Sequence, residues 1–209
     1  MPQACQPLGE YSVMNAMDQL LSRVSTDRLH EPAPTAAQLE QCVAAALRAP
    51  DHGYLRPWRY GVVTGDARAQ LAERVVASLL RVDPAAPQAA QDKRRQRFST
   101  MPMTLVLGMR LRPDHKIPVW EQEMTVAAGV MNLLNALHAQ GFGAIWVSGP
   151  PAQDPVLAAE LGFAAPDRLA GFVFVGTPET PLPAHPRPDA ASVMADWQGG
   201  ALSFAADRG

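Results

Sequence analysis

The densest chemistry in the sequence lies in one stretch, Arg48-Ala49-Pro50-Asp51-His52-Gly53-Tyr54-Leu55-Arg56-Pro57-Trp58. Two guanidinium groups, an imidazole, a carboxylate and two aromatic rings follow an alanine-rich helix and run into a strand at Trp58. Loops clamped between rigid elements concentrate binding chemistry. A solvated helix-to-strand connection explains the same residues equally well, and the loop alone does not separate the two. A second cluster, Arg23-Val24-Ser25, offers a guanidinium, a backbone N–H and a hydroxyl at the end of a helix. Arginine gives charge-assisted, often bidentate bonds and serine a short neutral one, a combination that suits a phosphate. The competing explanation is a basic helix C-terminus that complements the helix dipole, and the three residues taken alone favour it.

Other chemistries are excluded residue by residue. His30, His52, His115, His138 and His185 include no pair at metal-ligand helix spacing, so no zinc site is expected. No serine sits in a nucleophile elbow, and no cysteine pairs with a histidine. Glu121 and Glu123 suit the first turns of a helix, where acids offset the dipole. Lys93-Arg94-Arg95-Gln96-Arg97 has no interleaved aromatics and reads as a solvated helix face rather than a nucleic-acid surface. Neither a Gly-x-Gly-x-x-Gly turn nor a P-loop is present, so a nucleotide-like cofactor would not use a Rossmann turn.

The elements that must position these clusters follow from periodicity and punctuation. A helix is expected over 15–24, with Met17, Leu20, Leu21 and Val24 on one face. Thr35 and Gln38 form a capping box for a second helix, with Leu39, Val43, Ala46 and Leu47 inward, that stops before Pro50. Residues 58–63 read as a strand, and Asp66 caps a third helix. A polar helix then carries the basic run. The continuous apolar run Met103-Thr104-Leu105-Val106-Leu107-Gly108-Met109 marks a strand covered on both faces. The longest helix spans about 118–140, with Pro118 in its first turn. Beyond Met124 it is apolar on nearly every side and is expected to be buried. Strands follow at 144–148 and 171–176, separated by a short helix from Asp154-Pro155. The fold expected is α+β: a mixed sheet of about four strands flanked by helices around one dominant long helix.

Length and composition bound the rest. A chain of 209 residues with 47% apolar and 18% charged residues suits one soluble domain. A net charge of −2 gives no electrostatic case for nucleic acid or an anionic membrane. No apolar run reaches the ~18 residues of a membrane span, and no signal peptide is expected. Cys5 and Cys42 are too few for a disulfide framework and fit a reducing cytoplasm. Three segments result: an extension over 1–13, a domain over 14–178 and a proline-rich arm over 179–209.

Taken in order, these segments resemble the nitroreductase family of FMN flavoproteins, and within it the compact bacterial branch of NAD(P)H nitroreductases. The resemblance is carried by Arg23-Val24-Ser25 with Arg28, by Glu31-Pro32-Ala33-Pro34-Thr35, and by Arg48-Ala49-Pro50-Asp51-His52 with Pro57-Trp58. It continues through His115-Lys116, Trp120-Glu121-Gln122-Glu123-Met124, Gln140-Gly141-Phe142-Gly143, Ile145-Trp146, Ser148-Gly149 and Val175-Gly176-Thr177-Pro178. It implies a homodimer built through the long helix, with FMN at the interface and the C-terminal arm swapped onto the partner. It further implies that Arg23, Val24 and Ser25 bind the FMN phosphate and ribityl chain. Arg48 and His52 would line the flavin site, and Trp146, Val147 and Ser148 would contribute in part through backbone groups. Ala136, Leu137, His138, Ala139, Gln140 and Gly141 become the place for the nicotinamide nucleotide.

The implied reaction is ping-pong. NADH or NADPH reduces the flavin, and a nitroaromatic or similar small organic acceptor then takes two electrons, with no protein nucleophile. A cation near the flavin would stabilise the charge gained on reduction, with Arg48 or Arg56 as its source. The chain departs from the family pattern at particular positions. Tyr54 and Arg56 stand where many relatives carry amides. Val24 replaces a common basic residue, Val147 a position that can be arginine, and Asp27 a usually neutral or basic one. Arg187, in the tail, is the substitute candidate for the phosphate contact. The competing functions are a flavin or quinone reductase with a non-nitro substrate, a non-catalytic flavin-binding module, and a nucleic-acid binder through residues 93–97.

Overall fold

The computed structural model describes residues 15–180, 183 and 185–204. The expected extension over 1–13 and Cys5 lie outside the described residues. The sheet is organised on its longest strand, β5 (Arg168–Pro178). One edge of β5 pairs with β3 (Met103–Met109), whose far edge pairs with β2 (Trp58–Val63). The other edge takes β4 (Gly143–Val147), and the two-residue β1 (Leu29–His30) pairs with the C-terminal end of β5, at Thr177 and Pro178. Every pairing between these strands is antiparallel. The sheet therefore has five strands rather than about four, and its one parallel contact among the described residues is an isolated bridge between Ser25 and Ala144. β1 is too short to show alternation, and it exists because Thr177 and Pro178 offer a free edge.

All seven residues of β3 are buried, as the unbroken apolar run requires. Its side chains alternate between two cores. Leu105 and Leu107 face α2 (Ala36–Ala46) and α5 (Val119–Ala139), together with Val173 and Val175 of β5. Val106 faces α3 (Ala67–Val82), α4 (Gln88–Thr100) and α6 (Pro155–Glu160), together with Phe172 and Phe174. Phe98 of α4 meets both phenylalanines edge-on, at centroid distances of 5.2 and 5.0 Å, and so locks α4 to the sheet.

The helix ends follow local chemistry. Thr35 and Gln38 make the reciprocal capping box at α2. Asp66 occupies the N-cap position of α3 but makes no side-chain cap bond, and Pro118 sits at the N-cap of α5 rather than in its first turn. In α2, Leu39, Cys42 and Ala46 are buried and Leu47 is exposed, one step round from the expected face. Buried Gln122 of α5 pins the preceding loop. Its Nε2 donates to the Arg112 and Ile117 carbonyls at 3.1 and 2.9 Å, and its Oε1 accepts from the Arg112 N–H at 2.9 Å.

Two expectations about burial are corrected. α1 (Ala16–Ser22) stops before Val24 and buries no side chain; Met17, Leu20 and Leu21 face outward. α5 is not buried all round: Trp120, Met124, Ala127 and Met131 form an exposed stripe at helical spacing. The described tail residues form one short 3₁₀ turn, Ala190–Ser192, and carry exposed Val193, Met194, Trp197, Leu202 and Phe204.

Candidate functional site

Arg23 takes the C-cap position of α1 in an extended conformation. That turn lays Ser25 beside Ala144 of β4, where the Thr26 N–H donates to the Ala144 carbonyl at 3.1 Å. Ser22 Oγ lies 2.9 Å from His138 Nε2 and ties the same corner to the last turn of α5. Arg23 Nε is buried and has no hydrogen-bond partner among the described residues. Burial, and then the charge of Arg187, hold the Arg23 guanidinium below its ordinary pKa. Burial, and then Arg23, do the same to His138. None of the ion pairs among the described residues involves Arg23 or Arg187. A buried donor without an acceptor is costly. A phosphate would supply both the acceptor and the countercharge, so the donor set at this corner fits FMN's anionic end.

The edge of β4 continues from that corner. Successive residues of an antiparallel strand send their N–H and C=O groups to opposite edges. The Ala144 carbonyl points outward to Thr26. The Val147 carbonyl points inward to β5, where a Cβ on Gly171 (φ 127°) would collide with it. Trp146 and Ser148 therefore present their N–H groups on the same outer edge as Ala144. From Ala144 to Ser148 is about 13 Å of strand. Arg23, Ser25, Trp146 and Ser148 thus flank one elongated track. A cavity of about 330 Å³ opens beside it, lined by Trp146, Ser148, Glu123, Ala127 and Gln153 among others. Trp146 is held by its Nε1 donating to the Ala170 carbonyl at 3.0 Å. Val147 points to the opposite layer, with Ile145.

The 48–58 loop forms a second group. Arg48, His52 and Arg56 are exposed. His52 Nδ1 lies 2.7 Å from Glu121 Oε2, in the first turn of α5. About 25 Å of helix axis separates Glu121 from His138, so within one chain His52 and Arg23 stand at opposite ends of α5. Glu121, expected only to offset the dipole, is thereby also a histidine partner. The loop owes its shape to Asp51, whose carboxylate accepts from the Leu55 and Arg56 N–H groups at 3.1 and 2.9 Å.

Of the residues implied for the nicotinamide nucleotide, Leu137 is fully buried in the core. Gln140 Nε2 donates to the Gln38 carbonyl at 3.3 Å, and Ala139 and Gly141 are exposed. The basic run is divided: Arg95 pairs with Glu73 and Asp92, whereas Arg97 pairs with Asp27 at 3.0 Å. An acid two residues beyond Ser25 was the available sequence signal for that pairing.

Both halves of this arrangement fall within one family match. The model described as Nitroreductase family covers residues 20–177. The chain belongs to that family and is an oxidoreductase. More particularly, it is 36% identical over 166 residues to the protein named "Putative NAD(P)H nitroreductase YdjA" from Escherichia coli strain K12, a match covering 79% of this chain and 90% of that protein. Its fold is similar to that of a nitroreductase-like family protein from Bacillus cereus, with a TM-score of 0.78 at 21% identity, covering 92% of this chain and 100% of the other. It is also similar to NfnB from Sphigopyxis sp. strain HMH, described as an FMN and NADPH-dependent nitroreductase. That match has a TM-score of 0.68 at 23% identity and covers 89% of this chain and 100% of the other.

Proposed function

We propose that this protein is a cytoplasmic, FMN-dependent homodimer that passes two electrons from NAD(P)H to nitroaromatic or similar small organic acceptors. The observation that carries this is the buried, unpartnered Arg23 Nε beside Arg187, at one end of the β4 track. The names of YdjA and NfnB agree with the reductant class, and that of NfnB with FMN.

The residues divide the work. Arg23, Ser25 and Arg187 hold the phosphate, with the Val24 backbone between them. Trp146, Val147 and Ser148 meet the flavin along the strand edge, chiefly through the Trp146 and Ser148 N–H groups. FMN held there would supply the two-electron redox chemistry between NAD(P)H and the second substrate in ping-pong order. Residues 136–141, at the Arg23 corner, are the proposed contact for the nicotinamide nucleotide.

The dimer follows from the two separated groups. A twofold axis that pairs two α5 helices antiparallel brings one subunit's His52 end to the other's Arg23 end. The exposed stripe of Trp120, Met124, Ala127 and Met131 is then covered. The apolar side chains of α1 and of the tail beyond residue 192 find cover in the same assembly, the tail as a swapped arm. Arg48, His52 and Arg56 would thereby reach a flavin held by the partner.

The visible spectrum of the purified protein tests the cofactor, with FMN identified after heat release. NADH and NADPH consumption against nitroaromatics and quinones then tests the reaction. Protein that binds no FMN overturns the proposal. Bound FMN without acceptor-dependent turnover makes it a binding module, and turnover with quinones alone changes the substrate class.

A further inference from the structure

We propose that a chamber at the end of the sheet receives the body of the electron acceptor, and that the Glu123–Arg168 ion pair restricts it to acceptors without charge. This rests on the FMN reading above and deepens it by placing the second substrate.

The cavity of about 330 Å³ beside Trp146 and Ser148 adjoins a larger one of about 580 Å³. Met109, Glu123, Ala152, Gln153 and Leu169 line both. The larger chamber forms where elements end together. β3 stops at Met109, β5 starts at Arg168, and α5 contributes Val119 and Glu123 from its first two turns. Leu111 closes it from the loop after β3, and Phe163 and Pro166 from the loop before β5. Its size and chiefly apolar walls are those of a small-molecule site. A ring seated there has its edge toward the strand assigned to the flavin.

Four charged side chains line the chamber, and each is already neutralised. Arg168 Nη1 lies 2.8 Å from Glu123 Oε1. Asp154 is held by Arg81 at 2.6 Å, and Asp167 by Arg110 at 3.2 Å and by the Leu111 N–H at 2.9 Å. Arg168 is therefore the one lining cation, against three carboxylates. An anionic acceptor has to part Arg168 from Glu123 and then face those acids, and a cationic one finds no unpaired carboxylate. A neutral ring meets neither cost. Gln153 differs from the charged groups: among the described residues its side-chain amide has no partner. It lies where the two cavities meet, exposed, and can donate to a carbonyl or nitro oxygen.

The chemistry selected is a neutral fused-ring aromatic bearing such an oxygen. NAD(P)H supplies two electrons in either case. A quinone takes them with two protons to give the hydroquinone, and a nitro group takes them with two protons to give the nitroso group and water. An ion pair that only tied α5 to β5 would alter stability without altering which charge of acceptor is used.

The test uses the full chain loaded with FMN. KM and kcat are read with saturating nicotinamide, and acceptor Kd by calorimetry, for naphthoquinone, nitronaphthalene, a naphthoquinone carboxylate and single-ring benzoquinone. Turnover of naphthoquinone or of nitronaphthalene names the accepting group. Ala165→Phe, at an exposed lining position, is expected to raise KM and Kd for the two-ring acceptors about tenfold while leaving benzoquinone unchanged. Gln153→Leu should raise both about fivefold, the loss of one hydrogen bond. Glu123→Gln frees Arg168 and should improve kcat/KM for the carboxylate about tenfold relative to the neutral quinone. If Ala165→Phe does not fold, Gln153→Leu and Glu123→Gln carry the test. Wild-type binding of two-ring acceptors by folded Ala165→Phe, an unchanged charge preference in Glu123→Gln, or equal use of the carboxylate by wild type overturns the proposal, as does FMN-loaded protein that turns over neither two-ring acceptor. Protein that binds no FMN is a separate result: it removes the cofactor reading, while the naphthoquinone Kd still tests the chamber.

Discussion

Arg187, in the proline-rich tail, comes close enough to Arg23 to oppose its charge, adding to the effect of burial on the same guanidinium. Two cations brought together without an intervening carboxylate are unfavourable until an anion joins them. Arg187→Ala should therefore leave the flavin-free protein at least as stable as wild type while weakening FMN binding by about tenfold, the loss of one charge-assisted contact. Arg23→Ala, which removes the more buried partner, should purify with little flavin. Thermal melts without FMN and titration with it check both. Full flavin content in Arg23→Ala would reassign the phosphate.

His138 makes the same corner pH-sensitive. Burial and Arg23 lower its folded pKa below the ordinary histidine value. The unfolded chain thus takes up a proton first as pH falls through about 6.5. Between that value and the folded pKa the unfolded state binds more protons, so stability declines as pH falls. The slope is at most about 1.4 kcal/mol per pH unit. A bound phosphate opposes the field of Arg23 and raises the His138 pKa, which flattens the slope. Melts of flavin-free and loaded protein between about pH 5 and 8 should diverge on the acid side. His138→Gln should remove that difference, and equal slopes with and without FMN would separate His138 from the phosphate.

The exposed stripe on α5 predicts that subunit association and flavin retention fail together. Met124 and Met131 are 63% and 40% exposed in the single chain, so Met124→Glu or Met131→Glu should disturb the subunit's own fold little. A buried carboxylate at a twofold helix contact is costly without a partner, and both variants should sediment as monomers. Because His52 and Arg23 lie at opposite ends of α5, the monomer holds only half of the proposed contacts and should lose FMN. A monomeric variant that keeps its flavin would confine the site to one chain.

Much of this arrangement was legible in the residues. Apolar periodicity and helix punctuation located α2, α3 and α5, which have buried faces, as with the capping box at Thr35 and the turn at Gly141; α1 was placed by the same spacing although it buries no side chain, and α4 and α6 were read from polarity and from Asp154-Pro155 rather than from an apolar period. β3 was legible because burial on both faces leaves an unbroken apolar run. β1 was not, since two residues carry no period and their pairing depends on a strand nearly 150 residues away in sequence. The same limit applies to charge. Residues 93–97 look uniform in sequence, yet Arg95 faces α3 and Arg97 faces Asp27 because the helix turns them to different sides. The apolar circumference of α5 was legible, but not which stripe of it the single chain leaves uncovered.

The 48–58 loop is shaped by backbone conformation. Gly53, Tyr54 and Arg56 all have positive φ, at 73°, 54° and 51°. Gly53 accepts this freely, and a side chain there would strike Ile117. Tyr54 and Arg56 are L-residues in the left-handed region, which costs each roughly 1–2 kcal/mol. Asp51 offsets part of that cost through its bonds to the Leu55 and Arg56 N–H groups. Tyr54→Asn should therefore stabilise the fold by up to about 1 kcal/mol, since asparagine tolerates this conformation better. Asp51→Ala should destabilise it by roughly 1–2 kcal/mol and loosen the loop. Tyr54 is 83% exposed in the single chain, so a gain in stability from Tyr54→Asn accompanied by a changed KM for the acceptor would mark its ring as a substrate contact retained at a conformational cost. Denaturant melts paired with acceptor titrations separate the two effects. A Tyr54→Asn variant less stable than wild type would show that the tyrosine ring holds the loop through the partner subunit rather than straining it.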